Sequence, residues 1–390
     1  MKKTLKYFMM AATLCCSVSM VSCSSDDDDN SSKPEAAKGT DAAVEAACDQ
    51  WKTSRQEWEW SEAFLFGPAG DFSIDPHTDT WPFNRTQFDN YMKKYNPSAD
   101  EDDAEILAEA IATGQNLTGF HAVEYLIFRE GAARKIADMT ADEVWFAQTA
   151  AEDLYLSSLK LVAGWGGDLS DEEAEMLEAE EFEVTDAPAG YDDYGDYFMN
   201  GYGAVTGIQQ IIAGAQDIIG EVRDSKIGNP ATGTDVNYIE SPHAYNSIQD
   251  FKDNILSCQY ALYGGKGNTT PSGTSLIGAC LKMSQLKAAA ATVQEKLTAA
   301  IAAIDPGMKK PFVLYYTDQS AKDAMSALDE LDGSLSDLSE LIKLYAESDA
   351  LINAGETICK EYVEKVVRPT YRALATSNGE LVEALSKLSY

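Results

Sequence analysis

Along nearly every stretch of this 390-residue chain the apolar residues recur in steps of three and four, and no stretch alternates convincingly with the period of two that a half-buried strand shows. That pattern confines the chain to an all-α fold. Val44, Ala47, Trp51, Ser54, Trp58, Ser61 and Leu65 form one stripe, predicting a helix over 41–66 that Gly67-Pro68 stops. Leu107, Ile111, Gly114, Thr118, His121, Tyr125 and Phe128 form a second, predicting one helix over 104–128. Further helices are expected over 85–94, 141–162 behind a Thr140/Glu143 capping box, and around Ile208 to Ile219. In the second half they are expected over 244–263, 274–304, 319–351 and 356–375, the last kinked at Pro369. The segment 225–241 is rich in Gly, Asn, Pro and Thr and reads as a connection. The expected layout is therefore two packed helical bundles, 40–224 and 225–390.

The start of the chain is of another kind. Lys2, Lys3 and Lys6 precede an apolar run over 7–21 that is short for a membrane span, and Ser22-Cys23 closes it. Residues 1–22 resemble a bacterial lipoprotein signal, which would make Cys23 the lipidated first residue of the mature protein. Four aspartates at 26–29 and a polar stretch after them cannot bury apolar area, so 23–39 is expected to be a disordered tether. An acidic run there resembles the surface-export signal of lipoproteins in some Gram-negative bacteria. The expected place is the outer face of the outer membrane, with the periplasmic face as the alternative.

The formal net charge of −34 repels nucleic-acid phosphates and anionic lipid, and excludes both as partners beyond the lipid anchor itself. Cations are the natural guests. Of seven cysteines, Cys48, Cys258, Cys280 and Cys359 lie beyond the signal, and none falls in a Cys-x-x-Cys pair, so there is no zinc or redox signature. No GxSxG nucleophile, phosphate-cradling loop or dinucleotide fingerprint is present either.

The chemistry concentrates at His121 and Glu124, three residues apart and so on one side of a helix whose seam is buried. A buried carboxylate that stays ionised needs a cation or several donors. A metal ion would supply one, and a structural pair satisfied by Arg55 would be the plainer answer. The loop over 69–85 is dense in turn formers and carries Asp75, His77, Asp79 and Trp81, which makes it a candidate wall of the site.

Trp58 with the run Ser61 to Gly67, Ile74-Asp75, Trp81-Pro82 and Gly119-Phe120-His121-Ala122-Val123-Glu124 together resemble the imelysin family, the last fitting its GxHxxE motif. Glu240-Ser241-Pro242, the run Asp250 to Ile255 and Tyr263-Gly264-Gly265 look like its second signature. The resemblance spans nearly all of the mature chain. It implies two packed bundles with a site where the HxxE helix meets the second, in an exported protein whose relatives include a metallopeptidase and iron-regulated or iron-uptake proteins.

A zinc peptidase needs about three protein ligands and a carboxylate base, and the HExxH arrangement is absent. The three histidines, His77, His121 and His243, lack ligand spacing among themselves. Carboxylates with one imidazole suit iron and other oxygen-preferring cations better. The expected ligands of a divalent ion, iron or zinc, are His121, Glu124, Glu62, Asp75 and Glu240, with Arg55, His77, Ser241, His243, Asp250 and Asp253 as further site candidates. The expectation is a surface lipoprotein that binds metal in iron acquisition beside outer-membrane uptake components. The alternatives are an imelysin-type metallopeptidase and a peptide or glycan binding module in which the HxxE pair is structural.

Overall fold

The structure, a computed structural model, describes residues 35–114, 117–183 and 187–390. The lipidation candidate Cys23 and the aspartates at 26–29 lie outside the described residues. The chain is all-α. Its longer helices are α1 (Asp41–Glu59), α2 (Arg85–Lys94), α3 (Glu101–Thr113), α4 (Gly119–Ile127), α5 (Ala141–Gly164), α6 (Asp171–Ala179) and α7 (Ala204–Glu221). They continue with α8 (Ser247–Tyr263), α9 (Lys287–Ile304), α10 (Gln319–Leu344), α11 (Asp349–Tyr362) and α12 (Arg368–Leu385). Among the described residues extended pairing amounts to a two-residue ladder, Phe128–Arg129 against Ala132–Ala133, and two isolated bridges.

Those bridges correct the expected tether at its inner end. Ala36 pairs with Thr140 and Lys38 with Ser389, so the chain is pinned before α1 begins. Thr140 caps α5 as its sequence foretells: its hydroxyl accepts from the Glu143 amide, and Glu143 accepts from the Thr140 amide at 2.8 Å. The acid-rich α6 is a solvated helix with a capping box of its own.

Two packing groups share one continuous apolar core. In the first, α1, α4 and α5 lie together, and α12 returns from the far end of the chain to lie along α5 and α1. In the second, α7 packs on α8, α10 and α11, and α9 pairs with α10. Helix α8 also touches α1, which makes the α1/α8 contact the joint between the groups. Among the described residues no helix is long and apolar enough to cross a membrane. Cys48, Cys258, Cys280 and Cys359 are buried free thiols.

Several expected elements differ from the structure: the helix over 274–304 is split into Leu276–Cys280 and α9, that over 319–351 ends at Leu344, and that over 356–375 is shared between α11 and α12. The helix over 104–128 is broken into α3 and α4, because Gly119 takes φ +79°. A Cβ there would lie 2.2 Å from the Thr78 carbonyl oxygen, so only glycine lets the 77–79 backbone come this close to the start of α4. The loop over 69–85 contains two short helices, Pro68–Asp71 and Ile74–Thr78. The connection over 225–241 begins as helix: α7 runs through a π turn, Val222–Ile227, into Gly228–Thr232. Pro369 sits in the first turn of α12, directly after a second π turn at Val363–Val367, where a proline lacking its N–H is tolerated.

Candidate metal centre

The α1/α8 joint buries charge. Arg55, on the inner face of α1, is fully buried and its guanidinium reaches three carboxylates from three parts of the chain. Nη1 meets Asp79 Oδ1 at 2.5 Å, and Nη2 meets Glu240 Oε1 at 2.5 Å and also Glu59, one turn along α1. Burial alone would weaken the charge of Arg55, but Asp79, Glu59 and Glu240 hold it ionised well above its usual range. Lys226, from the π turn after α7, is the second buried cation, 3.1 Å from Glu240 Oε1 and 3.3 Å from Asn254 Oδ1.

His121 stands between two carboxylates. Its Nδ1 is 3.3 Å from Glu124 Oε2 on the same helix, and its Nε2 is 3.2 Å from Asp79 Oδ1 without hydrogen-bond alignment. Burial disfavours the imidazolium, yet the flanking Asp79 and Glu124 carboxylates hold its pKa up at about 9. The other oxygen of Glu124 accepts the backbone N–H groups of His243 and Ala244 at 2.7 and 2.8 Å, stitching α4 to the 240–246 segment. Burial raises the Glu124 pKa, but His121 and these donors outweigh it and leave the carboxyl below its ordinary range. Asp79 is fixed from a third side by Trp58 Nε1–H at 3.0 Å.

The charge does not balance. Glu59, Glu62, Asp75, Asp79, Glu124, Glu240 and Asp250 surround two fixed cations, Arg55 and Lys226, and one imidazole. The excess shows as proton affinity: burial pushes Asp75 and Asp250 up to about 7 and Glu62 well above the carboxylate range. It shows again as buried oxygens without hydrogen-bond partners, Glu240 Oε2 and Asp250 Oδ2. A cation would answer both. Asp79, His121 and Glu240 each offer a ligand atom within 4.8 Å of the others, as do Glu59, Glu240 and Asp250, and Glu59, Glu62 and Asp79. One imidazole with carboxylates is a donor set that fits a divalent first-row metal.

Two cavities open on this cluster, both lined by Trp81, whose ring packs edge-on against Tyr238 at 4.6 Å. One, about 410 Å³, is lined by Glu62, Asp75, Asp79, Glu221, Lys226 and Glu240. The other, about 280 Å³, has His121 and Glu124 in its wall and Trp81, Phe83, Arg85, His243 and Tyr316 around it.

These contacts place the residues singled out in the sequence. His121, Glu124, Glu240, Arg55 and Asp250 come together, and Glu62 and Asp75 line the acidic cavity beside them. Arg55 does not bond the HxxE pair directly but joins Asp79 to Glu240. His243 shares the aromatic cavity with His121, and Ser241 turns the chain at φ +41° behind Glu240. His77 faces elsewhere, bonded to Asp153 and the Gly114 carbonyl, both at 2.6 Å, so the three histidines do not converge. Asp253 binds Gln56, Trp60 and Gln249 instead of joining Asp250 in the cluster. Glu59 and Lys226 are members that were not chosen from sequence, and Asp79 was named there only within the loop taken as a wall, not as a ligand.

The imelysin family model, Peptidase_M75, matches residues 27–342. The chain belongs to the imelysin family. It is 26% identical over 235 residues to iron-regulated protein A of Synechococcus elongatus, covering 60% of this chain and 57% of that protein, so it spans little more than half of that relative's length. A crystal structure described as an iron-regulated protein A precursor from Parabacteroides distasonis superposes with a TM-score of 0.61 at 22% identity, covering 87% of this chain and 89% of that one. That of an imelysin peptidase from Bacteroides ovatus gives 0.50 at 21% identity, over 61% and 65%. At these identities both show the shared fold.

Proposed function

We propose that this imelysin-family protein binds a metal ion, iron in the first instance, through His121 Nε2, Asp79 and Glu240, in the service of iron acquisition. The observation that carries the proposal is the buried Nε2 of His121, 3.2 Å from Asp79 Oδ1 without an aligned hydrogen bond and within 4.8 Å of a Glu240 oxygen, in a cluster with too few cations. Glu124 orients the ring: by accepting from Nδ1–H it leaves Nε2 as the atom that would give up its proton to a metal, the arrangement in which a carboxylate backs a metal-bound histidine. Glu62 and Asp75 line the cation's approach, and Arg55 and Lys226 neutralise the carboxylates that the ion does not reach. The iron-regulated names of two relatives support the choice of iron.

A peptidase needs a carboxylate free to act as base. Both oxygens of Glu124 are engaged and its pKa is lowered, so the binding role accounts better for this geometry. Metal content of the purified wild type, Asp79→Ala and His121→Ala decides the matter. Metal present in the wild type and lost from both variants supports the proposal, and a wild type that takes up neither iron nor zinc ends it.

The proposed setting is the outer face of the outer membrane, with a lipid on Cys23 as the anchor. Cys23→Ala is expected to release the protein from membranes, and neutralising the aspartates at 26–29 to protect it from protease applied to intact cells. Equal shaving of the neutralised variant would remove the surface assignment and leave the anchor.

A further inference from the structure

We infer that the aromatic cavity beside His121 receives a small organic polycarboxylate, so that the metal reaches this protein as a chelate rather than as a bare ion. The inference rests on the metal site proposed above. A bare cation would be served by the acidic cavity alone, whose wall carries Glu62, Asp75 and Glu221. The second cavity has another chemistry. Its volume of about 280 Å³ is at the lower end for small-molecule sites, typically about 300–1,000 Å³. Trp81, Phe83 and Tyr316 line it beside Arg85 and His243.

Arg85 is the informative residue. In a chain with 64 acidic and 30 basic residues, it lines this cavity without an ion pair among the described residues. An arginine fork open to a cavity matches a carboxylate in two parallel hydrogen bonds. Two lining residues also hold buried polar atoms without a hydrogen bond, Trp81 Nε1 and His121 Nε2, the latter 3.2 Å from Asp79 Oδ1 behind the wall. Glu124 does not repel an anion from the inner wall, because its charge is already answered by His121 and by the backbone N–H groups of His243 and Ala244. A ligand with one carboxylate on Arg85 and another group beside His121 would span the cavity from Arg85 to the metal site.

Equilibrium dialysis of the full mature chain with radiolabelled citrate, with and without ferric iron, tests this. Citrate is expected to be retained together with iron, and not without it. Arg85→Gln, at an exposed position, is expected to lower citrate retention about tenfold or more, the loss of one charge-assisted contact, while zinc binding in citrate-free buffer stays at the wild-type level. A protein that binds zinc and iron but retains no citrate overturns the inference and leaves the metal site standing. Citrate retained without iron, or undiminished in Arg85→Gln, also overturns it. If neither metal nor citrate is retained, the metal site fails and the inference with it.

Discussion

Removal of Arg55 is the most revealing single change in this molecule. Arg55→Met keeps the length and apolar stem of the side chain but deletes the charge that joins Asp79, Glu59 and Glu240. All of these groups are at the centre of the fold, and Arg55, Glu59 and Glu240 are fully buried. Breaking a buried ion pair from one side costs about 3–5 kcal/mol, because the abandoned carboxylates remain in a medium that solvates them poorly. Lys226 stays within reach of Glu240, so the loss is expected toward the lower end, about 3 kcal/mol, in the presence of a chelator. A divalent ion would then fill the same electrostatic role. At a hundredfold excess over its Kd it returns about 2.7 kcal/mol, which would recover most of the loss. Urea denaturation of wild type and Arg55→Met, each in chelator and in zinc, reads both quantities. An Arg55→Met protein as stable as wild type in chelator would refute the counter-ion role. One that zinc does not rescue would separate the metal from this cluster.

Three further outcomes follow from the same contacts. Gly119→Ala must place a Cβ 2.2 Å from the Thr78 oxygen at φ +79°, so it is expected to cost more than the roughly 1–2 kcal/mol of the left-handed conformation alone, and to lower metal content by moving Asp79 from His121; thermal melts and metal analysis check both. Glu124→Gln is expected to keep the helical spectrum but weaken metal binding about 10–100-fold, measured by competition with a coloured chelator. In the metal-free protein His121 has a pKa of about 9 against the usual 6.5, so its ion pairs stabilise fully below about pH 6.5 and fade as the pH rises through 9. At about 1.4 kcal/mol per unit that is about 3 kcal/mol lost between pH 6 and 10, whereas Asp75 and Asp250, held up at about 7 from 3.8, lower stability over about pH 4 to 7 and add nothing further above it. Urea midpoints in chelator should fall from about pH 6 to 10 in wild type and fall less in His121→Gln.

The helices were legible because each bulk apolar stripe faces the core wherever it lies in the chain. So was the GxHxxE segment, and the contact between Glu124 and the 240–246 segment fits the resemblance of both to one family. The loop over 69–85 was marked as a wall of the site, but sequence did not show which of its residues meets His121. Asp79 supplies that contact, and nothing in its own neighbours marks it, since the decisive fact is that Gly119 admits the 77–79 backbone. The spacing signal misled at the same place: Gly114 and Thr118 continue the stripe of α3, so the break before α4 leaves the periodicity intact. Lys226 was hidden because its flanking Gly, Asn and Pro residues resemble a linker, whereas a π turn carries the helix through and turns the lysine inward. Asp250 and Asp253 show the limit from the other side, being three apart on α8 yet committed to different partners.

The central claim is that one metal ion is bonded by His121, Asp79 and Glu240. Crystals of the protein soaked in iron or zinc, measured at the metal's absorption edge, test it most directly. The account requires an anomalous peak within bonding distance of His121 Nε2 and of a carboxylate oxygen from each of Asp79 and Glu240. A peak held elsewhere, or none at this cluster in fully soaked crystals, would contradict it.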